Sequence, residues 1–226
     1  MVTPTWLRGH RQNRASAGEV PRLLGVIGDP HAEDRALESA ITWLRSRGAQ
    51  QLVCTGDVVD GTGDVERTID LLRAHQVLTV RGNHDRWHTE RHATTDQLGT
   101  AHAAWLAGLP ATVRLPTTLG SVLLCHSVGE DDLNHLRLDD YGYAVEQNDA
   151  LQQLLTSRSQ PTLMIRGHTH HGGVARFGRL AVLDAGTLRA DHDPQVWLVD
   201  TRDRTATCWA LADHQVRPDS AVTHAL

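Results

Sequence analysis

Acidic, amide and imidazole side chains follow five short apolar runs of this sequence, each directly after the run ends. They are Asp29, His31, Asp57, Asn83, His126, His168 and His170. Carboxylate oxygens, amide oxygens and imidazole nitrogens suit Mn²⁺, Fe or Zn²⁺ better than a metal that prefers thiolates, and no cysteine stands in the set. The spacing therefore predicts a metal centre with mixed nitrogen and oxygen ligands.

Each short motif also has an ordinary structural explanation when it is taken alone. An aspartate after a strand is often a helix cap, and the Gly-Asn-His-Asp stretch at residues 82–85 has the composition of a turn. A lone His126 is more often a hydrogen-bonded core residue than a ligand. Gathering all of these groups in one place would be costly without a partner for their charges, and positive ions supply that partner.

The elements that must position these residues alternate between strand and helix in the first half of the chain. Strands are predicted at residues 23–29, 51–57 and 77–82, with helices at residues 33–47 and 64–75 between them. Strand–helix–strand units at this spacing form parallel strands with right-handed crossovers. Ligands of open α/β sheets bind outside the carboxyl ends of the strands, which is where the polar residues fall.

The second half of the chain is richer in predicted strands. A loop is expected over residues 83–93, followed by helices over residues 95–107 and 144–157. Strands are predicted at residues 111–115, 121–126, 162–167, 173–176, 180–184, 195–200 and 206–211. The resulting organisation is a flexible N-terminal arm over residues 1–20, a single domain over residues 21–212 and a polar C-terminal tail over residues 213–226 that is expected to fray.

Composition narrows the class of protein further. The chain has 226 residues, of which 40% are hydrophobic and 22% charged, an ordinary balance for a globular protein. Its apolar runs are too short to cross a bilayer, and no signal peptide is visible, so a cytoplasmic protein without a membrane partner is expected. Three widely spaced cysteines do not indicate a disulfide framework. A net charge of −5 argues against a protein that chiefly coats nucleic acid.

The ordered set Asp-x-His, Gly-Asp-x-x-Asp, Gly-Asn-His-Asp, a lone His and Gly-His-x-His resembles the calcineurin-like metallophosphoesterase superfamily over residues 23–212. The resemblance implies an α/β fold in which two mixed β-sheets pack as a sandwich flanked by helices, a four-layer arrangement. It implies that Asp29, His31 and His170 bind one metal ion and that Asn83, His126 and His168 bind a second. Asp57 would bridge the two ions.

The same resemblance implies an enzyme, a metal-dependent phosphoesterase. Two divalent ions about 3.5–4 Å apart can clamp a phosphate and acidify a water; Mn²⁺ is expected first, with Fe or Zn²⁺ as alternatives. His84 is unligated in the family pattern and is predicted to be the general acid, with Asp85 orienting it. An equal alternative for Asp85 is a turn carboxylate that caps nearby backbone. Asp60 is expected to support the ligand loop.

The branch of the superfamily and the substrate are less closely defined. The motifs depart from the pattern of phosphoprotein phosphatases, and the chain is more similar to compact bacterial or archaeal phosphodiesterases. The expected substrate is a small phosphate ester or nucleotide, with diesters and monoesters both plausible because a general acid is present. Residues that could contact it are Arg86, Trp87, His88, His92, His171 and segment 131–143, which includes Tyr141. Alternatives are a catalytically silent scaffold and a nuclease acting on polynucleotides.

Overall fold

The computed structural model describes residues 20–91 and 98–226. Residues 1–19, which make up nearly all of the predicted N-terminal arm, and His92 therefore lie outside the described residues. None of the described helices is both long enough and apolar enough to cross a membrane.

The first half of the chain forms the alternating strands and helices that the sequence predicts. The elements are β1 (Leu23–Ile27), α1 (Asp34–Ser46), β2 (Gln51–Cys54), α2 (Val65–Ala74) and β3 (Leu78–Thr79). β1 pairs in parallel with β2, and β2 in parallel with β3. Helix α2 begins where Asp64 caps it, because the Asp64 side chain accepts the backbone N–H of Arg67 at 2.9 Å.

The remaining strands complete two mixed sheets, which confirms the predicted fold class. They are β4 (Thr112–Thr117), β5 (Gly120–Cys125), β6 (Leu163–Arg166), β7 (Gly173–Phe177), β8 (Leu180–Asp184), β9 (Gln195–Asp200), β10 (Thr205–Ala212), β11 (Gln215–Val216) and β12 (Val222–Ala225). One sheet has the order β11-β10-β9-β1-β2-β3, with β12 also paired to β10. The other has the order β4-β5-β6-β8-β7.

Successive side chains of the central strands are buried in different layers of the core. In β1, Leu24 and Val26 pack into the core between the two sheets, while Ile27 packs on the other face, against α1 and α2. In β5, Leu124 faces the core between the sheets and Leu123 faces the outer core beneath the second group of helices. Because successive side chains of a strand point to opposite faces, uninterrupted apolar runs are required for strands covered on both sides.

A helix, α3 (Asn83–Arg91), occupies the stretch predicted as a loop over residues 83–93, so that prediction is wrong. The helix lacks an apolar stripe because its residues are nearly all polar, and hydrophobic periodicity cannot detect such a helix. Its first turn is closed by the backbone N–H of Arg86, which donates to the carbonyl of Gly82 at 3.1 Å. The next helix, α4 (Thr100–Ala107), ends at the predicted residue, Ala107.

The helix predicted over residues 144–157 is divided into two, α5 (Tyr143–Glu146) and α6 (Asp149–Thr156). The division occurs at Asn148, whose side chain accepts the backbone N–H of Leu151 at 3.0 Å and so begins a new helix. Asparagine is among the strongest N-cap residues, which explains why one apolar pattern became two short helices.

The C-terminal residues 213–226 do not fray, which corrects the predicted tail. Strand β11 pairs with the end of β10, and β12 runs antiparallel to the beginning of β10 after a short 3-10 helix at Pro218–Ser220. Leu226 is buried and donates its backbone N–H to the carbonyl of Arg204 at 2.8 Å. The segment is polar by composition, but backbone pairing to a sheet edge and a few buried apolar side chains are enough to order it.

Candidate metal centre

The structure brings the seven predicted ligands together at the carboxyl ends of strands from both sheets. Those of the first sheet come from the segments that follow β1, β2 and β3, and those of the second from the segments that follow β5 and β6. Their donor atoms divide into two clusters that share one carboxylate, Asp57.

The first cluster consists of Asp29, His31, Asp57 and His170, with one donor atom from each residue lying within 4.8 Å of all the others. Nε2 of His31 lies 3.0 Å from Nε2 of His170 and 3.7 Å from Oδ2 of Asp57. Nε2 of His170 lies 3.6 Å from Oδ2 of Asp29. Ligands that bind one ion at about 2.0–2.2 Å are themselves about 3.0–3.5 Å apart, so these spacings fit a shared cation.

The second cluster consists of Asn83, His126 and His168 together with Asp57. Oδ1 of Asn83 lies 2.9 Å from Nε2 of His126 and 3.0 Å from Nδ1 of His168. Nε2 of His126 lies 3.4 Å from Oδ2 of Asp57, the same oxygen that approaches His31 in the first cluster. Asp57 is therefore placed between the two clusters, as a bridging ligand would be.

The backbone around the clusters is held in unusual conformations. His31, Asp57, His168 and His170 all have positive φ angles, of 41°, 49°, 73° and 60°, which few non-glycine residues adopt. Such residues concentrate at functional sites because the surrounding structure must enforce them. Glycine precedes several ligands for a related reason: a Cβ at Gly82 would stand 2.1 Å from Oδ1 of Asp57, so only glycine permits that approach.

Contacts behind the ligands fix which ring nitrogen faces the site. Nδ1 of His31 lies 3.0 Å from the carbonyl oxygen of Val59, and Nδ1 of His126 lies 2.8 Å from that of Thr55. A carbonyl accepts only from a protonated nitrogen, so each Nδ1 carries the hydrogen and each Nε2 keeps its lone pair for a metal. Asp29 is held by the hydroxyl of Thr55 and the backbone N–H of His168, both at 2.7 Å.

The electrostatics of the clusters fit divalent cations. Burial, and after it the neighbouring Asp57 carboxylate, raise the pKa of Asp29 well above its usual value. The two carboxyl groups repel each other when both are charged. Burial, followed by neighbouring imidazoles, lowers the pKa of His168 to about 4 and that of His170 to about 3. These imidazoles are neutral at neutral pH, the form that binds metals. Two carboxyl groups are thus buried close together, and bound cations would stabilise their charged forms.

The structure changes the partner predicted for His84. Nδ1 of His84 lies 2.8 Å from Oδ2 of Asp60, so Asp60 and not Asp85 orients this ring. The Asp85 carboxylate is fully buried and accepts the backbone N–H groups of Val58, Val59 and Gly82, at 2.8, 3.3 and 2.9 Å. Asp85 thus caps the loop that carries Asp57, which was the alternative interpretation of this residue.

Loss of the Asp85 carboxylate is expected to destabilise the protein. Asp85→Ala leaves three buried N–H groups without an acceptor, and the free energy of unfolding should fall by about 3 kcal/mol or more, since each such group costs about 1–3 kcal/mol. Chemical denaturation of the metal-free protein measures the change. Glu90→Ala is the control on the same helix, because Glu90 is exposed, and it should cost less than about 1 kcal/mol. Equal losses in the two variants would contradict the role of Asp85.

The predicted substrate-contacting residues are only partly available at the site. The Arg86 guanidinium is held by both oxygens of Asp132, at 2.7 and 3.0 Å. The Trp87 ring packs edge-on against His84 with ring centres 5.2 Å apart. His171 and Tyr141 are exposed.

Two further imidazoles, those of His135 and His192, border the clusters, and the sequence pattern does not identify either of them individually. The ring of His135 lies 5.6 Å from that of His168, and the ring of His192 lies 4.9 Å from that of His170. His135 falls within segment 131–143, which the sequence indicated, whereas His192 follows no strand end and carries no local signal.

Comparison with known proteins agrees with this geometry. The profile of the calcineurin-like phosphoesterase superfamily domain matches residues 23–204. A 66-residue stretch is 32% identical to an uncharacterized protein of Methanocaldococcus jannaschii, covering 29% of this chain and 27% of that protein.

Solved structures share the fold at low sequence identity. A metallophosphoesterase from Sphaerobacter thermophilus aligns with a TM-score of 0.60 at 18% identity, covering 88% of this chain and 90% of that one. Wild-type Vps29 from Entamoeba histolytica, complexed with Zn²⁺, aligns with a TM-score of 0.53 at 20% identity, covering 90% and 98%.

Proposed function

The chain belongs to the calcineurin-like phosphoesterase superfamily, and on this premise we propose that it is an enzyme that hydrolyses phosphate esters with two divalent metal ions. The observation that carries the proposal is the sharing of Asp57 between two clusters of donor atoms, with its Oδ2 3.7 Å from His31 Nε2 and 3.4 Å from His126 Nε2. A carboxylate shared between two sets of imidazoles is an arrangement that suits a dinuclear centre.

The proposed reaction needs ligands for two metal ions and a general acid. Asp29, His31, Asp57 and His170 would hold one ion, and Asn83, His126, His168 and Asp57 the other. The bound ions would supply Lewis-acid chemistry, acidifying water and neutralising charge on a phosphoryl group. His84 would donate a proton to the departing alkoxide from Nε2, because its Nδ1 is held by Asp60. Its ring is partly exposed and lies 5.0 Å, centre to centre, from the ring of His31 in the first cluster.

The proposed substrate is a small phosphodiester or phosphomonoester, including nucleotide-like esters. Trp87, packed against His84, offers an aromatic surface beside the general acid for a flat leaving group. Arg86 is already paired with Asp132, so recognition of the phosphate falls mainly to the metal centre and the bordering imidazoles. We also propose Mn²⁺ as the preferred ion and the cytoplasm as the place of action.

Metal dependence is the direct test of this function. Metal-stripped protein should be inactive on bis-p-nitrophenyl phosphate and p-nitrophenyl phosphate, and Mn²⁺ should restore turnover of at least one of them. Fe²⁺ and Zn²⁺, added in parallel, establish which ion the centre prefers, and Mg²⁺ serves as the control ion that favours oxygen ligands. Failure to bind any of these ions would contradict the proposal.

A scaffold without catalysis is the second candidate, favoured by the similarity of the fold to Vps29 from Entamoeba histolytica, a protein whose Zn²⁺ complex has also been solved. Metal binding alone therefore does not separate the two candidates, and turnover does. Protein that binds two ions but hydrolyses neither ester, nor cyclic nucleotides and short oligonucleotides, would favour the scaffold. Cleavage of oligonucleotides alone would favour the nuclease alternative.

A further inference from the structure

A fully buried ion pair lies directly behind the turn that carries two of the proposed ligands. Arg166 ends β6 and Asp184 ends β8, and the two residues are register partners in the parallel pair. Nη2 of Arg166 lies 2.9 Å from Oδ2 of Asp184, and both side chains are 0% exposed. Burying an ion pair costs much of the energy that the pair returns, so stability alone does not explain it.

The Arg166 guanidinium uses only part of its hydrogen-bonding capacity. Nη2 also donates to the carbonyl oxygen of Leu136 at 2.6 Å, but Nε and Nη1 are buried without a hydrogen-bond partner among the described residues. Unpaired buried donors are unfavourable.

The pair extends to the ligand turn through Thr169. The Thr169 hydroxyl donates to Oδ2 of Asp184 at 2.7 Å, and Thr169 stands between His168 and His170. Both histidines have positive φ angles, of 73° and 60°, so the turn needs outside contacts to hold its shape. The same hydroxyl accepts the backbone N–H of His171 at 3.2 Å, which closes the turn.

The two histidines of this turn serve different clusters. Nδ1 of His168 lies 3.0 Å from Oδ1 of Asn83 in the second cluster. Nε2 of His170 lies 3.0 Å from Nε2 of His31 in the first cluster. A change in the shape of the turn about Thr169 would displace both imidazoles. The contacts of one threonine thus influence both clusters.

We propose that Arg166, Asp184 and Thr169 are positioning residues that fix the turn between His168 and His170 and so set the geometry of both metal sites together. Arg166 adds a second connection, since Leu136 adjoins His135, whose ring packs against His168. The inference rests on the proposed dinuclear centre and specifies how this chain maintains it.

The first test compares Thr169→Val with Thr169→Ser by calorimetric titration of metal-free protein with Mn²⁺. Valine keeps the shape of the side chain and removes the hydroxyl. The affinity for both ions should fall about 10- to 100-fold, the usual effect of removing a residue that supports metal ligands by hydrogen bonding. Serine keeps the hydroxyl and should bind within about threefold of the wild type, which is the rescue that a merely steric role would not give. The thermal midpoint of the metal-free protein is recorded for each variant.

The second test removes the pair and keeps Thr169. The double variant Arg166→Met/Asp184→Leu replaces two buried charges with apolar side chains of similar size, an exchange that often leaves folding intact. It should keep the metal-free thermal midpoint and lose Mn²⁺ affinity at both sites, as Thr169→Val does.

The outcomes separate the inference from the function on which it rests. Wild-type protein that binds no metal would overturn both. Wild-type protein that binds two ions, together with Thr169→Val and the double variant binding as tightly, would overturn the inference and leave the proposed function standing. Loss of affinity at only one site would also overturn it, because the turn would then not couple the two clusters.

Discussion

Asp57→Ala is expected to reduce phosphoesterase activity to the rate of buffer alone and to abolish binding of at least one metal ion. The reason is geometric, because Oδ2 of Asp57 approaches the Nε2 atoms of imidazoles in both clusters, at 3.7 Å from His31 and 3.4 Å from His126. Its removal would take one ligand from each proposed site, together with the negative charge that would lie between the two bound cations.

The metal-free Asp57→Ala protein should unfold at nearly the same temperature as the metal-free wild type, although its activity is lost. Burial and the Asp57 carboxylate raise the pKa of Asp29, so alanine at position 57 relieves a repulsion within the buried site. The backbone N–H of His84, which donates to Oδ1 of Asp57 at 2.9 Å, loses its acceptor and partly offsets that gain. Stability in Mn²⁺ should fall because bound metal stabilises the folded state by about 2.7 kcal/mol at 100 times its dissociation constant.

Thermal unfolding with and without Mn²⁺, together with initial rates on bis-p-nitrophenyl phosphate, measures both effects. Asp139→Ala is the matched control, because Asp139 is exposed and pairs with Arg137 on the surface. The control should keep full activity and the full metal-induced shift in midpoint. Asp57→Ala protein that retained both ions and measurable turnover would remove the bridging role from this residue.

The positions of the proposed ligands could be predicted because each follows an apolar strand directly. The parallel arrangement of β1, β2 and β3 is encoded by short apolar runs separated by amphipathic helices, and that arrangement brings Asp29, Asp57 and Asn83 to one edge. Local sequence therefore predicts the strand end after which each of these three side chains lies, and the pairing of the strands brings those ends together.

The supporting contacts could not be predicted in the same way because they join residues far apart in sequence. Asp85 adjoins His84 in sequence and was the expected partner of its ring, whereas Asp60 is 24 residues away. The fold reverses that expectation, because Asp85 accepts buried backbone N–H groups and Asp60 reaches the ring. Helix α3 itself lacks an apolar stripe. The ordering of residues 213–226 similarly depends on pairing to β10, which local composition does not reveal.

His84→Ala is expected to lower kcat while leaving metal binding intact. Only the ring is lost, and the backbone N–H of residue 84 can still donate to Asp57, as it does at 2.9 Å in the wild type. General acid catalysis contributes about 10²- to 10⁴-fold, and the loss should approach the upper part of this range for alkyl esters, whose departing oxygen needs a proton. For p-nitrophenyl esters the loss should be smaller, because nitrophenolate is a stable anion.

The ratio of these two losses distinguishes proton donation from simple electrostatic attraction to phosphate. A group that only attracts the phosphate would lower the rates of alkyl and nitrophenyl esters alike, and would act mainly on KM. Asp60→Asn supplies a graded comparison, since the amide can still contact Nδ1 of His84, 2.8 Å from Oδ2 in the wild type, but carries no charge to stabilise a protonated ring. Its alkyl ester rate should lie between those of the wild type and His84→Ala. Unchanged monoesterase and diesterase rates in His84→Ala would show that another group delivers the proton.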